Sequence, residues 1–223
     1  MIGHPRVHFR VTDSTNERAR ALAAAGAPHG TLVTTDEQSA GRGRQGRTWS
    51  APPKSAVLMS VVLRELSETL PLAAAVAVSE ALPVEARIKW PNDVWVDGRK
   101  VAGILVEARP QEGWAVLGIG LNVTTEEFLP ELHATSLKLS GALLSVDESL
   151  AALVASLRTW LPRATEEILA AWRARDALRG RTVRWANGSK EGTAAGVDDA
   201  GALIVETVDG RVTLEAGEVH LER

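Results

Sequence analysis

A chain of 223 residues, 45% of them hydrophobic, can bury one sizeable domain or one domain plus a small appendage, which excludes a disordered polypeptide. Its 25 Lys and Arg against 28 Asp and Glu leave a net charge of -3, so no overall positive field draws it to nucleic acid or to an anionic membrane. With Cys 0 there is no disulfide framework, thiol nucleophile or thiolate zinc site.

The first residues, Met-Ile-Gly-His-Pro-Arg, lack the apolar run of a secretory signal, and a reducing cytoplasm is the expected compartment. A short strand is predicted near Val7–Val11. Ser14 followed by Glu17 has capping-box spacing, so a helix should start there, run through the Ala-rich segment to Ala25 and stop at Gly26 and Pro28. Thr31–Asp36 is β-rich, and Val57–Leu63 is an apolar run of strand length. The apolar stretch from Leu70 to Leu82 is too short to cross a bilayer and carries Pro71, Ser79 and Glu80, so Pro71–Leu82 reads as a buried helix and no membrane role is expected. Short strands follow at Arg87–Trp90, Val94–Val96, Lys100–Ala108 and Trp114–Val123, the second and third turned at Asp97-Gly98. Helices are expected over Asp147–Leu161 and Pro162–Leu178. Beyond Arg181 the texture becomes short β runs (Thr182–Trp185, Leu203–Val208, Val212–Glu215) with turns at Asn187-Gly188, Asp199-Ala200-Gly201 and Asp209-Gly210, which reads as a small barrel-like module. The expected division is a larger domain over 1–179 and a smaller one over 180–223.

Between the strands at 31–36 and 57–63 lies Gly41-Arg-Gly-Arg-Gln-Gly-Arg-Thr-Trp49. Gly41, Gly43 and Gly46 let the backbone approach a ligand closely, while Arg42, Arg44 and Arg47 bring permanently charged donors suited to carboxylate and phosphate. Such a loop repels itself and should order only when an anion neutralises it. By itself it is equally a solvated basic loop or an RNA-binding arginine-glycine segment. Lys89-Trp-Pro-Asn-Asp93 ends a strand and offers an ammonium for phosphate and a hard oxygen donor for Mg²⁺, although an Asn-Asp turn beside a surface lysine is the better reading of the pentapeptide alone. Lys100 opens an otherwise apolar strand in which Gly103 would let a ligand reach the backbone. Gly118-Ile-Gly-Leu-Asn-Val123 has no third glycine and no helix after it, so it is no dinucleotide fingerprint. His4, His8, His29, His133 and His220 lack metal-ligand spacing, and Trp160, Trp172 and Trp185 read as packing residues.

In this order, Ser14-Thr15-Asn16, Gln38, the Gly/Arg loop, Lys-Trp-Pro-Asn-Asp, Gly98-Arg-Lys-Val-Ala-Gly-Ile-Leu-Val-Glu107 and Gly-Ile-Gly-Leu-Asn-Val resemble the biotin protein ligases, and Gly201-Ala202-Leu203 with Gly217-Glu218-Val219 is similar to that family's C-terminal SH3-like module. The resemblance implies an α+β fold: a mixed-sheet catalytic domain of the biotin/lipoate ligase type with a small SH3-like β-barrel. It implies an ATP- and Mg²⁺-dependent ligase that makes biotinyl-5'-AMP and passes biotin to a lysine of a biotin carboxyl carrier domain. The implied biotin-binding residues are Ser14, Thr15, Asn16, Gln38, Gly41, Arg42, Gly43, Arg44, Lys100 and Gly103. Arg44, Arg47, Trp49, Lys89, Asn92 and Asn122 would bind ATP, Asp93 the metal, and Lys100 and Arg44 would be catalytic. Trp49 would pack on adenine. The chain begins too close to Ser14-Thr15-Asn16 to hold a helix-turn-helix domain, so DNA is not an expected partner, and a monomer or weak homodimer is. Gln45 stands where many relatives carry arginine, and Ala51-Pro-Pro-Lys-Ser55 where many carry a Gly-rich turn. A lipoate protein ligase shares the fold and the adenylate logic; the groups suited to a ureido ring favour biotin. A nucleic-acid-binding module would need further basic patches and interleaved aromatics.

Overall fold

The structure is a computed structural model that describes residues 1–215, 217 and 219–221. Glu218 of the Gly217-Glu218-Val219 motif lies outside the described residues. In chain order the elements are β1 (Arg6–Phe9), α1 (Thr15–Ala24), β2 (Leu32–Thr35), β3 (Ala56–Leu63), α2 (Leu70–Ala81), β4 (Arg87–Lys89), β5 (Asp93–Val96), β6 (Arg99–Arg109), β7 (Trp114–Asn122), α3 (Val146–Trp160), α4 (Thr165–Ala174), β8 (Thr182–Trp185), β9 (Lys190–Val197), β10 (Leu203–Thr207), β11 (Gly210–Leu214) and β12 (His220–Leu221).

Seven strands form one mixed sheet in the order β1-β2-β3-β7-β6-β5-β4, with β1 parallel to β2 and every other pair antiparallel. Its two faces are told apart by the two-residue period of a strand. On β3 and β7, Val57, Met59, Val61, Leu63, Leu117, Ile119 and Leu121 share one core with the largely apolar α2 and with α3 and α4. Val62, Trp114 and Val116 belong to a smaller core under α1, with Ala19 and Ala23. The centre of the second face is not filled by helix, and there β7 presents Gly118 and Gly120 instead of side chains. A second sheet follows α4, antiparallel in the order β11-β10-β9-β8-β12. The two parts are stitched together by Trp90 Nε1–H donating to the Gly201 carbonyl at 3.0 Å and by the Arg173 guanidinium donating to the Val197 carbonyl.

Several expectations are corrected. Ser14 does cap α1 in an extended conformation, but its side chain makes no capping hydrogen bond and Glu17 reaches Arg20 and Arg42 instead. The capping box belongs to α3, where the Glu148 N–H donates to Ser145 Oγ and Ser145 N–H to the Glu148 carboxylate. The expected Pro162–Leu178 helix is the shorter α4, because Pro162 follows directly on the end of α3 and serves the turn between the two helices. The strand β9 had no apolar signal, its Lys-Glu-Gly-Thr-Ala-Ala-Gly-Val being held by neighbours on both sides. Trp172 and Trp185 are buried, as packing roles require.

Candidate active site

A cavity of about 940 Å³ opens on the face where β7 carries its glycines. Its lining gathers Ser14, Thr15, Asn16, Gln38, Arg42, Gly43, Arg44, Arg47, Trp49, Lys89, Asn92, Asp93, Lys100, Gly103 and Asn122, so every residue expected at the site except Gly41 lines it. Gly41 stands behind the wall: a Cβ there would lie 2.3 Å from the Trp49 carbonyl and 2.7 Å from Gln38 Nε2.

One end of the cavity is polar and uncharged. The start of α1 buries Ser14, Thr15 and Asn16, and Gln38 reaches across so that its Oε1 accepts from the Thr15 N–H at 2.8 Å and from the Thr15 hydroxyl at 3.1 Å. From β3 the buried Ser60 hydroxyl lies 2.6 Å from Asn16 Oδ1 and 2.8 Å from Thr15 Oγ1, and its single proton serves one of them at a time. Asn16 Nδ2 donates to Glu107 at 2.8 Å. Gly118 makes room for this network, since a Cβ there would stand 2.1 Å from Asn16 Oδ1.

The other end is cationic. Asp93 and Trp95 alternate on β5 with the buried Val94 and Val96, and Lys89 is the cross-strand partner of Asp93. Burial pulls the Lys89 ammonium below the ordinary lysine value; Asp93 opposes this, while Lys100 and Arg47 add to it. Lys100 reaches the same place because of a bulge. Val94 pairs with Ala102 and Trp95 with Lys100, leaving Val101 as an extra residue between them. Strict alternation back from the core-facing Ile104 and Ala102 would send Lys100 into the core; the extra residue sends Val101 there and turns Lys100 to the face of Gly103. Lys100 Nζ is 2.7 Å from Asp93 Oδ1 and 5.5 Å from the centre of the Trp49 ring. Asn92 is tied to Ile104 through both its amide nitrogen and its backbone carbonyl, and its Oδ1 accepts from Arg44 at 3.4 Å. Asn122 donates its amide to the Thr135 carbonyl, which fixes the segment after the Lys100–His133 backbone bond against the sheet.

The Gly/Arg loop is clasped at its base. Trp49 N–H donates to the Gly41 carbonyl at 3.0 Å, Gly43 N–H to the Arg47 carbonyl at 2.7 Å, and the turn at its tip puts Gln45 and Gly46 at φ 55 and 74. The indole of Trp49 lies on Gly103 and Gly120, which face each other across β6 and β7; a Cβ at Gly120 would fall 2.4 Å from its Cε2. Its Nε1 is buried without a hydrogen-bond partner. Arg42 is paired with Glu17 and with Glu107, the latter at 3.3 Å.

Several residues in or behind the cavity wall escaped sequence reasoning. Glu107 was read only as part of a motif, and Ser60 not at all, although the alternation along β3 would have put Ser60 on the open face. His220 and Leu221 come from the C-terminal sheet, Arg181 from the residue just before it and His133 from an irregular segment, so the cavity claims two histidines that spacing had left as ordinary ones. Burial, with Lys89 and Arg47 adding to it, lowers the His220 imidazole below its ordinary value. Among the described residues no three His, Cys, Asp or Glu come together to hold a metal. Mg²⁺ commonly uses one or two protein carboxylates and completes its shell with water and substrate phosphates, a demand that the single carboxylate of Asp93, beside Lys89 and Lys100, fits.

An adenylate-forming ligase needs this combination of a polar acid-binding pocket joined to a cationic phosphate end. Residues 8–123 match the model of the biotin/lipoate A/B protein ligase family, and residues 181–221 match that of the biotin protein ligase C-terminal domain. The chain belongs to the biotin/lipoate A/B protein ligase family, on its biotin side, where the C-terminal domain places it. It is 36% identical to the biotin–[acetyl-CoA-carboxylase] ligase of Mycobacterium tuberculosis over 94% of this chain and 86% of that protein. The bifunctional ligase/repressor BirA of Bacillus subtilis is 32% identical over 99% of this chain and 75% of its own length. Among solved structures, the biotin protein ligase from Aquifex aeolicus in complex with biotin and ATP superposes with a TM-score of 0.84 at 27% identity, covering 99% of both chains.

Proposed function

We propose that the chain joins biotin to ATP, releasing pyrophosphate and holding biotinyl-5'-AMP, and then transfers biotin to a lysine of a biotin carboxyl carrier domain, working in the cytoplasm. The observation that carries this reading is that one cavity is lined both by the uncharged polar groups of Ser14, Thr15, Asn16 and Gln38 and by the cations Arg44, Arg47, Lys89 and Lys100.

In the first step an oxygen of the biotin carboxylate forms a bond to the α-phosphorus of ATP, and the bond to the β-phosphate oxygen breaks. Two anions must approach, so a fixed cation between them lowers the barrier. Lys100 is the cation assigned that role, and Asp93 holds its ammonium at 2.7 Å. Lys89, Arg44 and Arg47 face the polyphosphate, and Asn92 steadies Arg44. The neutral ureido ring carries both donors and acceptors, which Ser14, Thr15, Asn16 and Gln38 match in a buried setting. Asp93 would be the protein carboxylate that holds Mg²⁺, which would supply neutralisation of phosphate charge. In the second step the carrier amine attacks the acyl carbon, AMP leaves with the bonding pair, and the proton lost from the amine nitrogen passes to the departing phosphate or to water. The clasped loop and Trp49 keep water from the mixed anhydride until then. We place the boundary between the two domains at 179/180.

Replacing Lys100 with Ala separates binding from chemistry. Calorimetric biotin affinity is expected within about threefold of the unmodified chain, while adenylate formation falls by about a thousandfold. Adenylate formed at the unmodified rate by K100A would remove Lys100 from the mechanism.

A further inference from the structure

We propose that Glu107 is a positioning residue that ties closure of the Gly/Arg loop to order in the polar end of the cavity. The inference rests on the ligase reading only in naming biotin as the ligand of that end.

Glu107 lies near the end of β6 on the face of Gly103, and its side chain is only 22% exposed. Each of its oxygens has a separate task. Oε2 accepts from Asn16 Nδ2 at 2.8 Å, and Oε1 lies 3.3 Å from Arg42 Nη2 and 3.6 Å from Arg20 Nη1. Glu17 completes the group, pairing with Arg42 and, at 3.1 Å, with Arg20. Two carboxylates and two guanidiniums thus alternate, and three of the four stand on α1 and β6. Arg42 alone belongs to the loop, so this quartet holds the loop to the scaffold.

The same carboxylate continues inward. Asn16 meets Ser60, Ser60 approaches Thr15, and Thr15 donates to Gln38, so an unbroken run of polar contacts leads from the loop to the residues facing the ureido ring. A ligand that fixes Asn16 and Thr15 therefore fixes the Glu107 carboxylate in the orientation that receives Arg42. Loop closure and pocket order share this one side chain, and that sharing is a coupling free energy between two sites.

Glu107→Gln separates the tasks: its amide oxygen still accepts from Asn16, but the charge facing Arg42 and Arg20 is gone. The readout is tryptic cleavage after Arg44 and Arg47, followed by mass spectrometry, which reports opening of the loop. In the ligand-free chain E107Q is expected to be cut there about tenfold faster, Arg42→Ala equally so, and the double variant no faster than either, as one shared interaction requires. Cleavage elsewhere should stay unchanged, which a general loss of stability would not allow. Saturating biotin should slow cutting of the unmodified loop about tenfold and that of E107Q much less. Cutting of E107Q at the unmodified rate, or effects of E107Q and R42A that multiply in the double variant, would overturn the inference. If biotin left the unmodified chain's rate unaltered, the ligand assigned to the pocket would be wrong, while the ligand-free rates would still decide the role of Glu107.

Discussion

Gly118 and Gly120 illustrate what a missing side chain does at the scale of one residue. Both face the cavity from β7, and a methyl at either would overlap a group of the site, Asn16 Oδ1 at 2.1 Å or the Trp49 ring at 2.4 Å. G118A must displace Asn16 and with it the hydrogen bonds to Ser60 and Glu107. At about 1 kcal/mol for each bond, biotin binding should weaken by about thirtyfold. G120A must instead lift the indole from its floor and raise the KM for ATP, leaving biotin binding nearly unchanged. Titration calorimetry with biotin and steady-state kinetics in ATP separate the two effects, and a G118A variant that lost ATP rather than biotin would reverse the orientation proposed for the site. The glycines were visible in the sequence as an odd Gly-x-Gly, but their meaning depends on which face of β7 is open.

At the scale of elements, local patterns carried most of the architecture and failed where a partner decides. The apolar α2, the runs of β3 and β7 and the turn signals of the C-terminal segment are legible because period and punctuation are local. The bulge at Val101 is not: nothing in Lys-Val-Ala-Gly announces it, yet it alone turns Lys100 out of the core. Nor is β9, which is a strand because β8 and β10 flank it. A second consequence of partnering lies after α4, where Asp176 bridges to Ile88 on β4. Asp176 Oδ1 accepts from the Leu178 N–H at 2.8 Å, but Oδ2 is buried without a partner, and burial raises the carboxyl above its ordinary value. The native chain then binds more protons than the unfolded one between those two values, so Asp176 costs stability as pH rises through that interval. D176N keeps the Oδ1 acceptor and removes the charge. It should raise the thermal midpoint at neutral pH by a few degrees, with the gain vanishing below the ordinary carboxylate range. Melting curves across pH check this; a gain that persisted unchanged at low pH would contradict it.

At the scale of the whole molecule, the cavity is a joint product of the two sheets. Ser14, Thr15, Asn16, Gln38, Arg42, Gly43, Arg44, Arg47, Trp49, Lys89, Asn92, Asp93, Lys100, Gly103 and Asn122 were expected at the site from sequence, most of them from compact motifs, and all line the cavity. The contributions of His133, Arg181, His220 and Leu221 were not expected, since only folding brings them to the cavity, His220 beside Lys89 and Arg47. The described residues contain no helix long and apolar enough to cross a membrane. In a chain with a net charge of -3, Arg42, Arg44, Arg47, Lys89, Lys100 and Arg181 line this one cavity, a cluster that suits a polyphosphate better than a nucleic-acid surface. What remains is the acid activated there. The decisive measurement is to incubate the purified protein with Mg-ATP and either biotin or lipoate, and to follow acyl-adenylate by mass spectrometry together with released pyrophosphate. Biotinyl-adenylate and pyrophosphate in equal amounts, with no lipoyl-adenylate, is the predicted result; lipoyl-adenylate as the main product, or neither adenylate, would contradict the assignment of the polar end of the cavity to a ureido ring.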